Sequence, residues 1–205
     1  GRNLSFLDLI EEHQKGKTNY CFSLDENSNV VISKIENPHQ TRVIDFLIKI
    51  TLDNDEEIEC TEDHIFYTRD NQEVQAKDLT TGQSLMPLYL KKSQDVPLEE
   101  KSYRNKKNKL ADYTVVFNPN TGFYDFVHFL ADNHNRENGV YTNKGIRHHK
   151  DFNKLNNNPA NIEICSWKEH WQKHSDNALE SIKSGRTGFG RARKLHPEFF
   201  AKMGS

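Results

Sequence analysis

The segment from Arg147 to His174 constrains the chain more than any other, because it ties four histidines to a fixed order of short elements. A strand is predicted to end in the pair His148 and His149. The polar stretch that follows, rich in Asp and Asn, predicts a loop whose side chains satisfy turn backbone. Asn161 to Cys165 predicts a second strand. It leads into a helix whose entry carries a capping box, Ser166 with Glu169 three residues later. On that helix His170 and His174 are four residues apart and share a face, near enough together for one ion. Two strands and a helix therefore bring His148, His149, His170 and His174 toward one point.

The rest of the chain bounds what such a cluster can serve. Its 205 residues suffice for one or two domains. Hydrophobic residues are 34%, charged residues 28% and the mean hydropathy is -0.88, which favours small, wet domains over one large core. The longest apolar runs, such as Val43 to Ile50 with Asp45 and Lys49 inside, fall far short of the roughly 20 residues of a membrane span, so no membrane is expected as a partner. Cys21, Cys60 and Cys165 are too widely spaced for a CxxC zinc clasp and too few for a disulfide framework. With no basic-then-apolar leader at the start, a cytoplasmic setting is expected. Charge is divided: residues 1–100 carry 10 Lys and Arg against 20 Asp and Glu, and residues 101–205 carry 18 against 10 together with 7 of the 10 histidines. Two parts with different partners are expected, the basic one facing phosphate and a metal.

In the acidic part, Ser5 and Asp8 ahead of an apolar run predict a capped short helix, ended by Gly16. Strands are predicted at Tyr20 to Leu24, Val30 to Ile35, Val43 to Leu52, Ile58 to Cys60 and Ile65 to Thr68, separated by Asp- and Asn-rich turns. Together they suggest one compact all-β unit. Cys60 to Arg69, then Val74 to Gly82 and Leu85, resemble the middle of a Hint domain, the β-fold of inteins and hedgehog autoprocessing domains. The resemblance implies that Thr61 and His64 sit over a scissile peptide, His64 polarising or protonating it and Thr61 donating a hydrogen bond. The nucleophilic Cys or Ser and the final His-Asn pair of that family are not found here, so a partial Hint domain without autonomous splicing is expected, with a complementary intein fragment as one partner.

Lys91 to Lys109 reads as a basic linker. Beyond it, Phe123, Val127, Leu130, Ala131 and His134 fall at helical spacing and predict an amphipathic helix of about three turns ending near Gly139. On this helix His128 and His134 are expected to pack or to face solvent rather than bind a ligand.

Residues 123–175, with paired histidines, Asn-Asn-x-Pro-x-Asn and Glu-His-x-x-x-His, resemble the HNH or ββα-metal nucleases, which include many homing endonucleases and the colicin-type DNases. The resemblance implies hydrolysis of DNA phosphodiester bonds, with His149 as general base and His148 and His170 holding one divalent ion. His174 is a third candidate ligand. Asn161, matching the middle Asn of the family name, would pin the loop and orient the base. Mg2+ or Mn2+ is expected first, with Zn2+ or Ni2+ as alternatives. Arg147, Lys150 and Lys154, and the tail residues Arg186, Arg191, Arg193 and Lys194, are expected to contact double-stranded DNA.

The expected whole is an α+β chain: a partial Hint-like β-domain at 1–90, a basic linker at 91–110, an HNH endonuclease domain with flanking helices at 111–184 and a basic tail at 185–205. It would act as a monomeric intein-type homing endonuclease. The competing readings are a protein-splicing element with an inactive nuclease insert and a non-catalytic DNA-binding module.

Overall fold

A computed structural model describes residues 4–101 and 111–184. Among these residues the fold is mixed α+β, with three α-helices and five small antiparallel sheets. Helix α1 (Phe6–Gln14) starts in the expected capping box, the Asp8 amide donating to Ser5 Oγ at 3.1 Å and the Ser5 amide donating to Asp8 Oδ2 at 3.0 Å. Gly16, at φ 77°, follows its end.

β1 (Tyr20–Leu24) and β2 (Val30–Lys34) form a hairpin whose turn is held by the Asp25 carboxylate, which accepts from the Asn27 and Asn29 amides. β3 (Ile48–Thr51) pairs with β4 (Glu57–Cys60), and β5 (Ile65–Tyr67) with β6 (Glu73–Gln75). The expected single β-unit is therefore three separate two-stranded hairpins. The strand expected from Val43 begins only at Ile48. Its partner ends at Cys60, where the chain turns through Thr61, so Val43 and Phe46 lie 85% and 64% exposed with no strand beside them.

β7 (Leu90–Lys92), β8 (Thr114–Asn118) and β9 (Phe123–Phe126) make a three-stranded sheet, so part of the stretch expected as linker is paired backbone, and Val96 behind it is buried. Phe123 opens β9 rather than the helix: Gly122, at φ 72°, closes the β8–β9 turn, and Tyr124 and Phe126 are buried with the alternation of a strand. Helix α2 (Val127–Glu137) follows at once. β10 (Ile146–His149) pairs with β11 (Ile162–Cys165), and α3 (Trp167–Ser184) completes the described chain.

One apolar cluster joins β2 to the second half of the chain: Val30 and Ile32 pack with Val116 of β8, Val127 and Ala131 of α2 and Ile162 of β11. A second holds Val96, Val115, Tyr124 and Phe126. The β1–β2 hairpin is thus fastened to α2, with the His134 ring set against Tyr20 and its Nδ1 2.8 Å from the Ile32 carbonyl. Burying Val30 and Ile32 there contributes about 1.5–3 kcal/mol per side chain. Among the described residues no helix is long and apolar enough to cross a membrane.

Candidate functional site

The β10–β11 ladder places His148 opposite Glu163 and His149 opposite Ile162, and strand alternation turns the two histidines to opposite faces, so of the four histidines expected at one point three meet and His149 does not. His148 faces α3. Its ring centre lies 5.4 Å from that of His170 and 5.2 Å from that of His174, and those two are 4.5 Å apart. Phe152, held at φ 59° in the loop, packs on His148 and His174. The expected capping box at Ser166 and Glu169 starts α3 and so sets the turn on which His170 and His174 stand.

His148 is buried, and its Nδ1 lies 3.0 Å from Glu163 Oε1. With Nδ1–H donating to that carboxylate, the ring's lone pair is on Nε2, which is buried and has no hydrogen-bond partner. Burial raises the Glu163 carboxyl, but hydrogen bonds from Lys173 and His148 outweigh it and hold the group below its usual range. Burial pushes the His148 imidazole down against the pull of Glu163, and it pushes His170 down as well, with the charge of His174 adding to the effect. All three changes favour neutral rings beside an ionised carboxylate, the protonation state of a carboxylate–histidine–metal arrangement.

The donor types, three imidazoles, are of a kind that a divalent ion accepts. Imidazoles bound at about 2 Å to a common ion stand roughly 4.5–5.5 Å apart centre to centre, which is the spacing found here. The nitrogens themselves do not converge: no three His, Cys, Asp or Glu side chains among the described residues are posed as a metal site. The His148 ring stands edge-on to both partners, at 88° and 86°.

On the other face of β10, His149 is buried and its Nε2 lies 3.0 Å from Asn157 Oδ1. Its ring is flanked by Tyr113 at 5.9 Å and His128 at 5.7 Å. Asn161 pins the loop as expected: its Oδ1 accepts from the Asp151 amide, and its Nδ2 donates to Asp151 Oδ1 and to the Asn156 carbonyl. The side chain that orients the His149 ring is Asn157, which sequence reasoning assigned to the loop alone. Its signal was the Asn156–Asn158 run, in which spacing does not single out one amide.

Several expected DNA contacts have other partners. Arg147 extends inward, with Nη2 2.7 Å from the fully buried Asp132 Oδ2 and its guanidinium over the Phe129 ring at 4.1 Å. Lys150 Nζ donates to the Ala160 carbonyl at 2.8 Å. Lys154 is exposed, its ammonium 5.2 Å from the Tyr113 ring beside His149. Arg186, Arg191, Arg193 and Lys194 lie outside the described residues. Thr61 and His64 occupy the turn between β4 and β5. His64 is exposed and packs on Phe66, and the Thr61 hydroxyl, with Arg42, holds the Asp63 carboxyl below its usual range. They stand on a different hairpin from the histidine cluster. His128 and His134 of α2 are packing residues. Burial, with the charges of His149 and Arg147, holds His128 down at about 3.

No protein-family model matches the chain. Over 207 aligned residues it is 36% identical to a DNA gyrase subunit of a Synechocystis species, an alignment that covers 99% of this chain. The chain spans 18% of the length of that relative. It is thus similar to a segment of a gyrase subunit, and the histidine cluster lies inside the aligned segment.

Proposed function

We propose that the chain is a metal-dependent DNA endonuclease of the HNH type, the homing endonuclease part of an intein carried within a gyrase subunit. The observation that supports this best is the division of labour across β10: His148 meets His170 and His174 on one face, while His149 stands on the other beside Asn157. His148, His170 and His174 would hold one divalent ion. Once bound, the ion supplies positive charge against that building on the scissile phosphate and the departing 3′ oxygen.

The chain's own residues do the rest. Glu163, gripped by Lys173, fixes the His148 ring so that Nε2 keeps its lone pair for the ion. Asn157 accepts from His149 Nε2–H, which leaves the lone pair on Nδ1 to take a proton from the attacking water. Asn161 and Asp151 hold the connecting loop so that both rings keep their places. Double-stranded DNA is the substrate, and the Hint-like hairpins carrying Thr61 and His64 supply the splicing side, with a complementary fragment as partner. Similarity to part of a gyrase subunit supports an element housed in that coding sequence.

A non-catalytic DNA-binding module is the second reading, favoured by the unconverged nitrogens of the three imidazoles. The two separate when the protein is incubated with DNA spanning an uninterrupted gyrase-subunit coding sequence, with Mg2+, Mn2+, Ni2+ or Zn2+ or with EDTA. A cut at one preferred position that EDTA abolishes is expected. Tight binding to that DNA with no cut under any metal would replace the endonuclease with the binding module.

A further inference from the structure

Trp167 and Trp171, one turn apart at the start of α3, are 69% and 70% exposed. With Lys168, Gln172 and Ser175 they line an open hollow of about 580 Å³. Indole faces left in water at this density mark a contact surface, because each ring buries some 150–250 Å² when covered. The surface adjoins the histidine cluster: Trp167 and Trp171 each precede a cluster histidine by three residues, which on a helix turns the two faces roughly 60° apart. The Trp167 and His170 rings are 6.0 Å apart.

We infer that this surface is a stacking shelf for nucleobases of the DNA strand beside the phosphate that is cut. The inference rests on the nuclease reading for where the strand runs. Chemistry on the shelf fits that occupant: two aromatic faces for a flat ring, the Gln172 amide and Ser175 hydroxyl for base edges, and the Lys168 ammonium for a phosphate. The sequence that follows α3 is basic, residues 185–205 carrying 5 Lys and Arg against 1 Glu, which is complementary to a polyanion. A stacked base needs to leave its partner, so a duplex with unpaired bases next to the cut should bind better than a fully paired one.

These are the protein's only two tryptophans, so their fluorescence reports on the shelf alone. The full chain in EDTA is titrated with a paired duplex and with the same duplex carrying a short mismatched bubble, reading tryptophan emission and DNA anisotropy together. Quenching on binding, greater for the bubble, is expected, with Trp167→Ala and Trp171→Ala each binding about 5- to 150-fold more weakly and the Phe variants retaining most of the affinity. Bound DNA with unchanged emission and wild-type affinity in both Ala variants overturns the inference. Cleavage by the same Ala variants at wild-type KM would overturn it while leaving the nuclease reading intact. Quenching that persists in a protein cutting no DNA with any metal would sink the nuclease reading and leave the shelf.

Discussion

His148 and His149 are adjacent on one strand and share no surroundings: the first meets His170, His174 and Glu163, the second Asn157, Tyr113 and His128. A strand reverses side-chain direction at each residue, so two consecutive imidazoles are the shortest way to place a ligand and a base on either side of a thin element.

Glu163→Gln should weaken metal affinity about 10- to 100-fold, since the amide loses the charge that makes His148 a better donor. Calorimetric titration with Mn2+ or Ni2+ reads this directly. Saturating metal should restore most of the cleavage, and an unchanged affinity would show that Glu163 does no more than anchor Lys173.

Two asparagines of one loop should fail differently. Asn157→Ala frees the His149 ring and should lower kcat by about 10- to 100-fold with little change in KM or melting temperature. Asn161→Ala removes three loop hydrogen bonds and should lower stability by about 1–3 kcal/mol. Thermal melts beside single-turnover kinetics separate them.

The Asn loop shows where the sequence stops being legible. Strand, loop, strand and capped helix between Ile146 and Ser184 follow from residue patterns; the expected meeting of four histidines holds for His148, His170 and His174 only, because strand alternation sends His149 to the opposite face. Which of five loop asparagines touches His149 depends on loop backbone that no periodicity encodes. The same holds for the first hairpin: alternation in β2 predicts a buried face, but not that α2, about 100 residues later, covers it. Arg147 looked like a phosphate contact because its partner, Asp132, is a single buried acid on another element.

Asp132 accepts from the Tyr141 hydroxyl at 2.8 Å and from Arg136 Nε at 3.0 Å, and pairs with Arg147. Asp132→Ala leaves two partly buried guanidinium groups without their anion and should cost about 3–5 kcal/mol. Urea unfolding measures it, and a loss under about 1 kcal/mol would contradict the network.

His128, held at about 3 by burial, stays neutral in the folded protein, whereas in the unfolded chain it takes up a proton below about pH 6.5. Between those values the unfolded state binds more protons, so stability falls as pH drops through the window, by up to about 1.4 kcal/mol per pH unit from this ring. His148 and His170, also lowered by burial, act in the same direction. Unfolding in EDTA at pH 7.5 and pH 5 should show the loss, and His128→Phe should reduce it.

The most direct test pairs His149→Ala with His170→Ala and measures metal binding and DNA cleavage on each. The account predicts that His149→Ala binds one divalent ion and DNA like the wild type yet cleaves about 10²- to 10⁴-fold more slowly, while His170→Ala loses metal affinity first and regains cleavage as metal is raised. Wild-type cleavage by His149→Ala, or unaltered metal affinity in His170→Ala, would contradict it.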